Sequence, residues 1–205
     1  MWIHVIPHFS GFLQELFLTP DDHRDATGKA DRVARSLFAR YYPDQIFTSN
    51  CYKIVGSYGR ETAGRPCTDV DMLFLLPITE WSRVNQRQGN KQSQLLQEVK
   101  DTLLYTFPRT ALRADGQVVM APFDTYAVEI APAFARTDGT FLTCDTNDGG
   151  SWRVSNPDAE YDHLHNADLA TNWKATRLTL MAKAWRASAT SNSSQPPLRF
   201  SHRFS

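Results

Sequence analysis

Apolar side chains first recur at helical spacing. Ala30, Val33, Ala34, Leu37 and Phe38 lie three and four apart, and the first forty residues are predicted to be helical. Thr19-Pro20-Asp21-Asp22 supplies a start, with Thr19 as cap and Pro20 at the first position, and Tyr41-Tyr42-Pro43 supplies a stop. The period then changes. Ile46 to Val55 reads as a strand, and Asp69 to Leu76 reads as a better one. Residues 80–105 return to helical spacing through Leu95, Leu96, Val99, Leu103 and Leu104. A meander follows: a strand near 109–114, a turn at Asp115-Gly116, a strand at 117–121, a turn at Pro122-Phe123-Asp124 and a strand at 126–131. CDTNDGGS at 144–151 reads as a loop and 157–187 as mostly helix, with no internal repeat. The end, SATSNSSQPPLRFSHRFS, is rich in serine and proline and reads as disordered.

Composition narrows the classes. A chain of 205 residues, 41% hydrophobic, can bury a sizeable core. Its 22 basic residues match 22 acidic ones, so net charge gives no pointer to a polyanionic partner, and nucleic acid is not required. No apolar run approaches the length of a membrane span, and the start lacks the basic region and cleavage site of a signal peptide. Cys51, Cys67 and Cys144 are odd in number and show no CxxC spacing. That fits a reducing cytoplasm and gives no zinc site.

The chemistry concentrates in VGSYGRETAGRPCTDVDMLFLLP, residues 55–77. Side chains alternate along a strand, so Asp69 and Asp71 share a face with Leu73 and Leu75, while Val70, Met72, Phe74 and Leu76 point the other way. Two carboxylates that close repel each other unless a cation sits between them. Magnesium answers that need, being held by one or two carboxylates together with substrate phosphates. Gly56-Ser57 closes the preceding strand and is predicted to open a short helix, YGRETA. A glycine that permits close approach, a helix start and the Ser57 hydroxyl together make a phosphate site. The stretch is neither a Walker A loop nor a dinucleotide fingerprint, because its glycines have the wrong spacing.

Hydrophobic residue, Gly-Ser, spacer, then Asp-hydrophobic-Asp-hydrophobic resembles the signature of DNA polymerase beta-like nucleotidyltransferases. More narrowly, the chain looks like a bacterial CD-NTase, the SMODS-type relatives of cyclic GMP-AMP synthase. Supporting stretches are LTPDDHRDATGKADRVARSLFARYY, YAVEIAPAF, TNDGGSWRVSNP and LTLMAKAWR, and the resemblance runs from about residue 10 to residue 187. It implies an α+β fold: a mixed twisted sheet flanked by helices, with a long N-terminal helix and an incomplete C-terminal helical lobe. The implied layout is a nucleotidyltransferase core at 1–150, the start of the helical lobe at 151–187 and a tail at 188–205. Relatives continue into further helices, so the chain reads as truncated, frameshifted or a fragment.

The implied activity is a transferase that joins nucleoside triphosphates, ATP and GTP among them, into a cyclic di- or trinucleotide in anti-phage signalling. An RNA or protein acceptor, or a nucleotide-binding form with little turnover, are the alternatives. Asp69 and Asp71 would hold two Mg2+ ions, with Mn2+ as a substitute. Glu129, which interrupts the apolar strand AVEIAPAF, would be the third metal ligand, and Asp124 in its turn is the rival. Gly56, Ser57 and Lys183 would bind nucleotide, and a regulatory protein partner is expected. Lys183 lies in a helix with Leu178, Met181 and Trp185 as its apolar face. Arg60 and Arg65 flank the loop within reach of phosphates but read first as surface arginines. CDTNDGGSW lacks the twelfth-position glutamate of a calcium loop, and His163 and His165 diverge on a helix.

Overall fold

The computed structural model describes residues 5–191. Two helices lead the chain, α1 (Val5–Leu16) and α2 (Pro20–Tyr41). Thr19 caps α2 as its sequence demands: its hydroxyl accepts from the Asp22 N–H at 3.2 Å, while the Asp22 carboxylate accepts from the Thr19 N–H at 2.8 Å. This reciprocal pair satisfies two otherwise orphaned donors. The helix ends at Tyr42, before Pro43.

The sheet has seven strands: β1 (Tyr52–Ile54), β2 (Asp69–Leu75), β3 (Arg113–Asp115), β4 (Val118–Pro122), β5 (Ala127–Ala135), β6 (Phe141–Asp145) and β7 (Ser151–Ser155). Their order is β1-β2-β5-β4-β3, and the second half of β5 also pairs with β6, which pairs with β7. The β2–β5 pair is parallel and the others are antiparallel. The α+β expectation is met, with a mixed sheet flanked by helices.

The helices α2 and α5 (Lys91–Thr106) cover one face. Val33 and Leu37 of α2 and Leu95, Val99 and Leu103 of α5 join Val70, Met72 and Phe74 of β2 in one core cluster. The alternation read from the sequence therefore holds, since Val70, Met72 and Phe74, on the face opposite the aspartates, all enter this core. At about 25 cal/mol per Å2, such burial is the main force seating β2 in the middle of the sheet. The opposite face carries the carboxylates, with a smaller cluster of Val55, Leu73, Ala131, Ala133 and Phe141.

Four expectations need correction. Residues 46–48 are not strand: Ser49–Cys51 forms a 3-10 turn and Ile46 is 90% exposed, so β1 begins only at Tyr52. The single helix expected over 80–105 is two, α4 (Thr79–Asn85) and α5, divided at Gly89 with its φ of +72° and restarted by the Asn90 cap. Residues 144–151 are not simply a loop but the tip of a hairpin, with β6 and β7 on either side of a 3-10 turn at Asn147–Gly149. An aromatic trio holds that hairpin down. Trp152 lies 5.6 Å from Phe134 of β5 and 5.1 Å from Trp81 of α4, ring centre to ring centre. The sheet thus continues to Ser155.

Two more helices follow, α6 (Pro157–Thr171) and α7 (Lys174–Ser191). The fourth correction concerns α7. It runs to Ser191 rather than ending near 187, and it buries Leu180, whereas Leu178 is 65% and Trp185 74% exposed. Residues 192–205, most of the tail expected to be disordered, lie outside the described residues.

Candidate active site

The parallel pairing of β2 and β5 sets Asp71 opposite Glu129 and Asp69 opposite Ala127. Register partners point to the same side of a sheet, so Asp69, Asp71 and Glu129 share the face turned away from α2 and α5. Asp71 is 9% exposed. Burial, then the negative charges of Asp71 and Asp69, push the Glu129 carboxyl up to about 7. Asp71 also hydrogen-bonds to it. Asp124 stands apart, exposed in its turn.

The β1–β2 pair brings the Gly-Ser turn against these acids. The Val55 N–H donates to the Asp71 carbonyl at 2.9 Å, and the chain then turns at Gly56, whose φ is +62°. A Cβ at Gly56 would lie 1.8 Å from Oδ2 of Asp71. Only glycine lets the turn sit on that carboxylate. The helix that follows, α3 (Gly56–Gly59), is a single turn. The longer YGRETA helix is therefore not formed, and phosphate binding here would rest on turn amides and the Ser57 hydroxyl rather than on a helix dipole.

Gly56, Ser57, Asp69, Asp71 and Lys183 all line one cavity of about 520 Å3. Glu129 is not in its wall; it lies beside Asp71 on the next strand. Lys183 reaches the cavity from α7, and its Nζ donates to the Thr62 carbonyl at 2.9 Å. Burial, then the Arg60 guanidinium, lowers the Lys183 amine below the ordinary lysine range, with Asp69 pulling the other way.

The cavity also contains two arginines read first as surface residues and two charged residues that the sequence did not single out. Arg60 and Arg65 line it, as do Glu160 and Arg186. Arg60 is ion-paired with Glu160 of α6. The residues are a hundred positions apart, so no local pattern could reveal the pair. Among the described residues, Asp69, Asp71 and Glu129 included, no three His, Cys, Asp or Glu side chains converge as a ready-made metal cage. The carboxylates nonetheless suit a hard divalent ion. Magnesium takes one or two carboxylates and completes its shell with phosphates and water, and three crowded acids, one of them pushed toward protonation, are the donor set that a cation would relieve.

The family model for the Second Messenger Oligonucleotide or Dinucleotide Synthetase domain (SMODS) matches residues 3–167. The chain belongs to the SMODS family. Among solved structures it is similar to CdnC of E. coli MS115-1, seen with ATP, with a TM-score of 0.64 at 19% identity over 96% of this chain and 60% of that one. The same relative is also known as a CdnC:HORMA-deltaN complex. CdnE of Elizabethkingia meningoseptica, a cyclic dinucleotide synthase seen with GTP and Apcpp, gives 0.64 at 14% identity over 92% and 69%. DncV of Vibrio cholerae, a cyclic AMP-GMP synthase in complex with the linear intermediate 5' pppA(3',5')pG, gives 0.60 at 12% over 87% and 64%. Identities this low speak for the fold, which is that of these nucleotidyltransferases. This SMODS chain spans about 60% of the length of CdnC. No curated protein sequence matches it. Among the described residues no helix is long and apolar enough to cross a membrane.

Proposed function

We propose that this chain carries the catalytic half of a magnesium-dependent cyclic oligonucleotide synthase. The observation that carries the reading is the register of Asp71 with Glu129, beside a glycine turn packed on the Asp71 carboxylate. Asp69 and Asp71 would hold Mg2+ or Mn2+, with Glu129 completing the ligand set. When bound, the cation would neutralise charge on the phosphates and the attacking oxygen. Gly56 amide, Ser57 hydroxyl and Lys183 ammonium orient the triphosphate in the cavity. A 3′- or 2′-hydroxyl of the acceptor nucleotide, beside Glu129, gives its proton to solvent water and bonds to the α-phosphorus. The bond from that phosphorus to the bridging oxygen breaks, and pyrophosphate departs toward Ser57 and Lys183. A second such transfer closes the ring.

The nucleotides held by the relatives support ATP and GTP as substrates, and the HORMA complex of one of them supports a regulatory protein partner. Family membership supports a role in bacterial anti-phage signalling. The thiols of Cys51, Cys67 and Cys144 are free, which supports a reducing, cytoplasmic setting. The test is incubation with four labelled ribonucleoside triphosphates and Mg2+ or Mn2+, followed by phosphatase and resolution of the products. A small phosphatase-resistant nucleotide is expected; a labelled macromolecule would point instead to an RNA or protein acceptor.

A further inference from the structure

Thr62 is 2% exposed and belongs to no helix or strand. Four polar contacts converge on it. Its N–H donates to the Ser57 carbonyl at 2.8 Å, and its hydroxyl lies 3.3 Å from the same oxygen. Its carbonyl accepts from Lys183 Nζ at 2.9 Å, and the hydroxyl is 3.4 Å from that ammonium. A hydroxyl can donate to one partner while accepting from another, so both arrangements hold at once. Two residues on, the same loop meets α7 again: a Cβ on Gly64 would lie 2.7 Å from Cδ2 of Leu180, one helical turn before Lys183.

We infer that Thr62 is a positioning residue that couples the Gly56-Ser57 turn to Lys183, so that the two triphosphate contacts move as one unit. This rests on the triphosphate reading of the cavity. The turn and the lysine lie more than a hundred residues apart in sequence and line the same cavity. Without a shared anchor each would have to be ordered separately when phosphate arrives, at an entropic cost for each group. With Thr62 between them, both are ordered in advance.

Two readouts test the coupling. In calorimetric titration with a non-hydrolysable triphosphate and Mg2+, Thr62→Val should weaken binding about threefold to tenfold, the scale of one hydrogen bond. A methyl group would then stand where the hydroxyl meets the ammonium. Thr62→Ser keeps the hydroxyl and should restore binding to within about twofold. Thr62→Val added to Lys183→Met should cost little beyond Lys183→Met alone, because coupled contacts are not additive. Losses that multiply, or wild-type affinity in Thr62→Val, overturn the proposal. Hydrogen exchange without nucleotide is the second readout, using Lys183→Met alone because that substitution leaves Thr62 itself unchanged. The Thr62 amide should then exchange at least about threefold faster, and unchanged exchange also overturns the coupling. If exchange responds but the wild-type chain binds no triphosphate, the mechanical link stands. The nucleotide reading and Thr62's role in it then both fall.

Discussion

Asp71 and Glu129 lie side by side across the only parallel strand pair among the described residues, where burial, then the charges of Asp71 and Asp69, pushes the Glu129 carboxyl up to about 7. Two acids placed so closely disfavour the folded metal-free protein. Glu129→Gln should therefore leave the metal-free fold at least as stable as wild type while abolishing product formation. Asp124→Asn, in an exposed turn, should keep most activity. A side-by-side product assay with thermal unfolding in chelator checks both, and equal losses in the two variants would remove Glu129 from the site.

Gly56→Ala should damage both fold and activity. The substitution would force an alanine to φ of +62° and bring its Cβ to 1.8 Å from the Asp71 carboxylate. Left-handed backbone costs about 1 kcal/mol or more for a residue with a side chain, and the clash displaces a carboxylate of the active site besides. A fall in Tm together with at least about tenfold lower turnover is expected. Gly11→Ala, within α1 where a Cβ meets nothing within 4 Å, is the control and should leave turnover unchanged and Tm equal or slightly higher, since alanine is the better helix former.

The ion pair of Arg60 with Glu160 gives opposite expectations for its two members. Arg60→Ala removes a cation from the cavity wall and should weaken triphosphate binding. Glu160→Gln releases the guanidinium and removes a competing anion, so it should tighten binding or leave it unchanged. Partly exposed pairs are worth about 0–1 kcal/mol, so each shift should stay within roughly fivefold. Calorimetry at two salt concentrations measures it, and tightening by Arg60→Ala would contradict the assignment.

Glu98 sets a pH limit away from the active site. Its burial disfavours the charge, but hydrogen bonds from Arg83, Arg87 and Tyr41 outweigh that and hold the carboxyl down at about 2, against an ordinary 4.5. A carboxyl lowered in the folded state contributes stability above its unfolded value and loses it as pH falls through the folded one. Unfolding free energy should thus drop by about 2–3 kcal/mol between pH 5 and pH 2 from this group. Glu98→Gln should lose stability at pH 7 and flatten that part of the profile. Denaturant titrations across the range read the slope, and an unchanged slope in Glu98→Gln would refute the assignment.

Where side-chain period alone decides structure, the sequence was a good guide. The faces of α2 and β2 followed from spacing, because burial leaves one register open to Val70, Met72 and Phe74. The shared face of Asp69 and Asp71 followed from the same rule, whereas Glu129 came from a charge interrupting an apolar strand and from the family resemblance. What local pattern could not show were the parts held by distant partners. The β6–β7 hairpin depends on Trp152 packing against Trp81 and Phe134, while its tip, TNDGGS, reads as a loop at any distance. Gly89 splits a helix that leucine spacing alone would continue. Arg60 and Thr62 owe their places to Glu160 and Lys183, contacts that exist only once α6 and α7 have folded back over the loop.

The central claim is that Asp69 and Asp71 bring the metal to the triphosphate held at Gly56-Ser57. Product formation by wild type, Asp69→Asn and Asp71→Asn, with all four ribonucleoside triphosphates and Mg2+ or Mn2+, tests it most directly. Both variants should fold, with Tm equal to or slightly above that of the metal-free wild type, because one of two neighbouring charges is gone. Both should lose at least about a hundredfold in rate, since charge stabilisation in the transition state is lost. A phosphatase-resistant nucleotide from the wild type and none from either variant is the expected result; wild-type yields from either variant would contradict the account.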